Sequence, residues 1–159
     1  MKNFVKRYKD GQLKRFFRSA GAPKDNSGPI KIIVGKTYEQ MVLDPTKEVF
    51  VMYWMPKCEE CKIMNPHWKN LAEEVRGIDD LVIGKYNTMD NENEGLNIDT
   101  YPTLMFYGKD NKEGIPCTGK TLDSLKRFLL EHSGALKVAM ERKAKFEEEQ
   151  KVGEVSEEL

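Results

Sequence analysis

The chain has 159 residues, which suits one domain of ordinary size with short extensions, and its 39% hydrophobic content excludes wholesale disorder. Lys and Arg (26) balance Asp and Glu (26), and no apolar run approaches the ~20 residues of a membrane span. Three cysteines are too few to staple a fold that lacks a core.

The charge is unevenly spread. Residues 1–19 carry Lys2, Lys6, Arg7, Lys9, Lys14, Arg15 and Arg18 against Asp10, whereas residues 147–159 are dominated by glutamate. A basic head can mark nucleic acid or anionic lipid, but no nucleic-acid motif accompanies it, so a solvated helix face is expected. Met1-Lys2-Asn3 leads straight into a charged, aromatic segment and not into an apolar signal region, so the expectation is a cytosolic protein or a piece of a longer precursor.

Residues 3–19 read as a helix with Phe4, Val5, Tyr8, Leu13, Phe16 and Phe17 as its apolar members, weakened by Gly11. Residues 20–29 are rich in Gly, Pro, Asn and Ser and read as a linker at a domain boundary. From 30 to 134, short apolar runs alternate with helical stretches, the pattern of an α/β domain. Ile30–Val34 is a strand, and Thr37-Tyr38-Glu39-Gln40 fits a capping box that opens a short helix to about Leu43. Val49–Met55 is apolar on both faces, so a central strand is expected. A long helix runs from about Cys58 to Val75, interrupted by Pro66, which removes one helix hydrogen bond. Leu81–Tyr86 is a strand and Glu92–Leu96 a short helix. Thr103–Tyr107 and Gly114–Thr118 form an antiparallel pair around Gly108-Lys109-Asp110-Asn111. Leu122–His132 is an amphipathic helix with Leu122, Leu125, Phe128 and Leu129 on one face and Gly134 as its stop. Residues 135–151 are expected to be a charged helical extension, and 152–159 a frayed acidic tail.

The strongest signal is Trp54-Met55-Pro56-Lys57-Cys58-Glu59-Glu60-Cys61-Lys62. A Cys-x-x-Cys pair alone is either a redox couple or half of a zinc site. Here it lies where a buried strand hands over to a helix. Cys58 then sits at the helix N-terminus, where free amides and the helix dipole favour a negative sulfur, and Cys61 lies one turn on. Zinc takes four ligands in most structural sites, and only Cys117, His67 and His132 remain as candidates, so redox chemistry is the better reading.

Phe50 to Lys62 resembles the active-site strand and helix start of the protein disulfide isomerase family, in particular its last catalytic, thioredoxin-like domain. Tyr101-Pro102-Thr103 matches the family's second signature, Pro66 its helix proline, and Ile83-Gly84-Lys85-Tyr86-Asn87 the strand that ends near a buried lysine. Residues 1–19 resemble the last helix of a preceding, non-catalytic domain. The resemblance implies a thioredoxin fold, a central mixed β-sheet flanked by helices, over residues 30–134. It implies that Cys58 is the attacking thiolate, Cys61 the resolving thiol and Pro102 cis, with Tyr101, Pro102 and Met55 as the substrate platform. The implied reaction is exchange through a mixed disulfide. The implied partners are cysteine-containing unfolded or partly folded proteins and glutathione or another thiol, with no nucleic acid, no membrane span, no metal and no cofactor. The implied location is the lumen of the endoplasmic reticulum.

Four departures modulate these expectations. Glu59-Glu60 stands where the family carries Gly-His, and Lys57 replaces an aromatic residue. Lys57 and Lys62 cancel Glu59 and Glu60 formally, so the pair is expected to be closer to a reductant than to a strong oxidant. Met52 replaces a buried glutamate that moves a proton to or from the resolving cysteine, so Lys85 is expected to lack its partner and resolution to be slow. Lys120 stands near a family arginine that modulates the second cysteine. Ser156-Glu157-Glu158-Leu159 is a weak match to retrieval signals. The first and second departures keep an alternative open, a chaperone-like module that holds thiol substrates with little turnover. Cys117, in a strand, reads as a packed free thiol.

Overall fold

Five apolar runs become five strands in the computed structural model, which describes residues 2–12 and 16–157: β1 (Ile30–Ile33), β2 (Glu48–Trp54), β3 (Leu81–Asn87), β4 (Thr103–Tyr107) and β5 (Ile115–Cys117). They form one sheet in the order β1-β3-β2-β4-β5. The first three are parallel, β4 runs antiparallel to β2, and β5 antiparallel to β4, so the sheet is mixed. The helices are α1 (Lys2–Lys9), α2 (Tyr38–Val42), α3 (Glu59–Glu74), α4 (Leu122–His132) and α5 (Gly134–Glu157).

β2 is central because both of its faces are apolar. Successive side chains of a strand point to opposite faces. Phe50 and Met52 face α3 and α4, in a core with Trp68, Leu71, Leu104, Phe106, Leu125 and Leu129. Val49, Val51 and Tyr53 face the other way, against Ile33, Tyr38, Val42 and Tyr86. Trp68 is fully buried on Phe50, with ring centroids 4.7 Å apart, and its Nε1 donates to the Gly84 carbonyl at 3.2 Å, so its polar atom is satisfied. Gly84 leaves room for Ile33: a Cβ there would lie 2.5 Å from Ile33 Cδ1. On the second face the hydroxyls of Tyr38, Tyr53 and Tyr107 form a buried triangle, with Tyr53 2.9 Å from Tyr38 and 2.7 Å from Tyr107.

Several elements differ from the sequence expectation. The helix expected over 3–19 stops at Lys9. Gly11 is left-handed (φ +65°), its amide bonds the Tyr8 carbonyl and that of Gln12 bonds the Arg7 carbonyl, a closed Schellman stop. Leu13 lies outside the described residues, and Phe16 is irregular and exposed. The stretch from Arg18 then runs along the loop after β3. The Glu92 amide donates to the Arg18 carbonyl and the Arg18 amide to the Glu92 carboxylate, and the buried Asn91 accepts from the amides of Ala20 and Gly35. That use of the Glu92 amide, and Gly95 at φ +74°, leave no helix at 92–96. Thr37 turns its hydroxyl back to Val34 and makes no cap bond to α2. Gly134 does not stop the chain of helices. α4 ends at His132 with Ser133 as its extended C-cap, and α5 starts at once and continues to Glu157. Its first amides are held by the buried Glu48 carboxylate, which also accepts from Ser133 Oγ.

Candidate functional site

The site grows from the C-terminal end of β2. The strand delivers Trp54 to the surface, and Met55 begins a turn closed by the Cys58 amide on the Met55 carbonyl at 3.2 Å. Cys58 is the N-cap of α3, with extended backbone (φ −92°, ψ 109°), so its side chain turns back over the first helical turn. There its Sγ accepts the Cys61 amide at 3.0 Å. Cys58 and Cys61 are joined by a disulfide with Cα atoms 5.2 Å apart. They differ in exposure: Cys58 is 8% exposed and Cys61 1%. Both are buried, Cys58 the less completely, so Cys58 is the better placed of the two to meet an incoming chain. On reduction, the amide and the helix N-terminus favour negative charge on Cys58.

The Tyr101–Pro102 peptide bond is cis. Pro102 and Glu60 line one pocket of about 580 Å³, together with Ile63 and Met64 of α3, Leu104, and Cys117. Lys120 closes its rim, paired with Glu60 at 3.8 Å. The proline loop, the first turn of α3 and the loop after β5 thus share a largely apolar hollow, which Glu60, the residue before Cys61, reaches and neither Cys58 nor Cys61 lines. Tyr101 turns its ring toward a separate pocket with Thr88 and Ile98, where its hydroxyl accepts from Thr88 Oγ1 and donates to the Ile98 carbonyl. Met55 is half-buried and lines neither pocket. Glu59 pairs with Lys62 at 2.6 Å, and Lys57 is exposed.

Lys85 lies beneath the site. It is the cross-strand partner of Met52, and its ammonium does not lack a companion as expected: it donates to Asn65 Oδ1 at 2.7 Å and sits 4.6 Å from the centre of the Trp54 ring. Burial lowers its pKa. Asn65 was not singled out from the sequence, although its place four residues after Cys61, on the same helix face, was the available signal. Cys117 is the free cysteine on the pocket floor. Burial pushes its thiol up, opposed by the Gly119 amide, so it is a poor nucleophile. Among the described residues no cluster of three or more His, Cys, Asp and Glu can hold a metal, and no helix is long and apolar enough to cross a membrane.

The family profile described as Thioredoxin matches residues 29–131. Protein disulfide-isomerase A4 of Mus musculus is 35% identical over 138 residues, covering 84% of this chain and 22% of that protein. Protein disulfide-isomerase of Drosophila melanogaster is 34% identical over 128 residues, covering 79% and 26%. Protein disulfide-isomerase A2 of Mus musculus is 37% identical over 122 residues, covering 75% and 23%. The chain therefore spans about a quarter of the length of these relatives. The J-Trx1 fragment of ERdj5, a crystal structure, superposes with a TM-score of 0.55 at 23% identity over 65% of this chain and 50% of that one, a likeness of fold.

Proposed function

The chain belongs to the thioredoxin family, with a redox-type disulfide pair like that of protein disulfide isomerases, and on that premise we propose that it is a catalytic thiol–disulfide exchange domain of a longer disulfide isomerase. One observation carries the reading: a disulfide at the N-cap of α3 whose first sulfur holds a backbone amide, with Cys58 keeping 8% of its surface against 1% for Cys61. In the reduced protein, Cys58 thiolate attacks a disulfide of a substrate protein. A Cys58–substrate disulfide forms, and one substrate sulfur leaves as thiolate and takes a proton from solvent. Cys61 thiolate then attacks Cys58 Sγ, closing the Cys58–Cys61 disulfide and expelling the second substrate thiolate. The pair loses two electrons and the substrate gains them. Run backwards, the same steps oxidise a dithiol substrate, and release before Cys61 attacks allows isomerisation.

The pocket between Pro102, Ile63, Met64 and Lys120 suits apolar residues beside a substrate cysteine, which favours unfolded or partly folded proteins. Glutathione or a similar thiol is the proposed redox partner. The proposed location is the endoplasmic reticulum lumen, with residues 1–19 ending a preceding domain and 20–29 as the linker. Turbidity of insulin on reduction by dithiothreitol tests the reading. The chain is expected to accelerate it and Cys58→Ser to abolish the acceleration. Suppressed aggregation in both, without acceleration in either, would favour the holding module. Titration against glutathione is expected to place the pair below about −180 mV, on the reducing side of typical disulfide isomerases.

A further inference from the structure

A half-buried lysine with no carboxylate in reach is an unusual thing to keep beneath a sulfur pair. Lys85 comes from β3 and points under α3, where its ammonium is caught between the Trp54 ring and the Asn65 amide oxygen. Among the described residues it makes no ion pair, and its strand partner Met52 offers no charge. Asn65 stands four residues after Cys61, so the two side chains adjoin on one face of α3, with Cβ atoms about 5–6 Å apart. The residue that holds the ammonium is therefore the helix neighbour, one turn on, of the buried cysteine. The other charges around the pair are spoken for or exposed: Glu59 with Lys62, Glu60 with Lys120, and Lys57 in solvent. At the far end of α3, Glu74 pairs with Lys126 of α4. Apart from Lys85, the titratable groups on this face of the sheet are Cys117, a neutral thiol, and Glu48, at the far end of β2 and held by Ser133 and the first amides of α5; from α4, His132 packs on Phe106 and Phe128.

From this placement we infer that Lys85 is a fixed cation that favours the thiolate form of the resolving Cys61, and that Asn65 is the positioning residue that aims it. A neutral amide is suited to the task. It fixes the ammonium by a hydrogen bond without cancelling its charge, whereas a carboxylate in its place neutralises it. The charge, half-buried and so only partly screened by water, acts on the step in which Cys61 thiolate attacks Cys58 Sγ, forms the Cys58–Cys61 bond and releases the bound thiolate with its electron pair; the Cys61 proton has already gone to solvent. The inference rests on the assignment of Cys61 as resolver.

Rapid mixing of the reduced chain, in a Cys117→Ala background, with dithiobis-nitrobenzoate separates the two steps. The first thionitrobenzoate released reports attack by Cys58 and the second reports resolution by Cys61. Lys85→Met is expected to raise the Cys61 pKa by about one unit. That lowers the thiolate fraction about tenfold at neutral pH and raises its nucleophilicity about threefold, so the second release slows about threefold. Above both pKa values the variant becomes about threefold faster, and the two pH profiles cross. Asn65→Asp keeps the hydrogen bond, neutralises the cation and shifts the profile the same way; Asn65→Ala shifts it less. A second release that is unaltered in Lys85→Met and Asn65→Asp, or slowed equally at every pH, overturns the inference and leaves Cys61 as resolver. Absence of a second release in the parent chain overturns both.

Discussion

Glu48→Ala tests the attachment of the C-terminal helix to the domain. Glu48 opens β2, is 6% exposed, and spends both carboxylate oxygens on the start of α5: Oε1 accepts from the Gly134 amide at 3.0 Å and the Ala135 amide at 3.2 Å, and Oε2 from Ser133 Oγ. A hydrogen bond to a charged group contributes about 1.5–3 kcal/mol, and an anion at a helix N-terminus about 0.3–2 kcal/mol. These contributions overlap, so deletion of the carboxylate is expected to cost roughly 3 kcal/mol, a large part of the 5–15 kcal/mol that holds a domain together. Glu48→Gln keeps one acceptor and loses the charge, and is expected to cost about half as much. Urea denaturation followed by far-ultraviolet circular dichroism reads both, and amide exchange at Ala135 and Leu136 shows whether α5 opens alone. Thiol exchange should persist in the folded fraction, because Glu48 and Trp54 lie at opposite ends of a seven-residue strand, about 20 Å apart. A loss below about 1 kcal/mol for Glu48→Ala refutes the reasoning.

Tyr53→Phe removes the hydroxyl that holds both short bonds of the tyrosine triangle and leaves Tyr38 and Tyr107 only a 3.4 Å contact; an equilibrium loss of about 1–2 kcal/mol is expected, and more than for Tyr38→Phe. Gly84→Ala drives a methyl into Ile33 and is expected to cost about 1–3 kcal/mol by the same denaturation assay, with Ile33→Val in the same chain restoring part of the loss by removing the nearest atom, Cδ1. Burial holds the Lys85 pKa below 10.5 in the folded chain, so the unfolded chain keeps that proton to higher pH and stability rises as pH climbs through the interval. Lys85→Met removes the penalty, so its stability advantage at neutral pH should shrink as pH approaches the unfolded value; a pH-independent difference would contradict the assignment.

The parts of the site that follow from neighbours in sequence were readable. Cys58 caps α3 because a buried, β-rich run ends four residues before it, and the helical spacing puts Cys61 under it. The apolar double face of β2 placed it in the middle of the sheet. Pro102 was readable only through the resemblance, since nothing in composition marks a cis bond. The polar partnerships were not readable, because each joins residues brought together by the fold: Lys85 and Asn65 are 20 positions apart, Glu48 and Ser133 are 85. Asn65 on a helix and Glu48 before an apolar run look like ordinary solvent-facing residues until their neighbours are known. The helix over 3–19 failed for a different reason. The apolar spacing continues past Gly11, but a left-handed glycine with two closing bonds ends α1 whatever follows it.

The charged residues around the pair therefore divide by the cysteine they adjoin, Glu59 and Glu60 next to Cys58 and, on the inference above, Lys85 toward Cys61. Glu59 and Glu60 flank the attacking Cys58, yet each carboxylate has a lysine, Lys62 at 2.6 Å and Lys120 at 3.8 Å, and all four side chains are largely in water. Exposed pairs of this kind change energies by about 0–1 kcal/mol. The groups that favour the Cys58 thiolate are backbone groups, the Cys61 amide and the helix terminus, and they do not depend on which residues lie between the cysteines. Met52 and Lys85 differ in kind, because Met52 is fully buried and Lys85 half-buried beneath α3, where one uncancelled charge is less screened. Placing glycine and histidine at 59 and 60, the pair the family resemblance implies, should thus alter the first thionitrobenzoate release by less than about fivefold, the limit set by about 1 kcal/mol. Lys85→Met should leave that release nearly unchanged and move the second. A larger effect of the 59–60 exchange on the first step would mean that the exposed charges, and not the backbone at the head of α3, set the reactivity of Cys58.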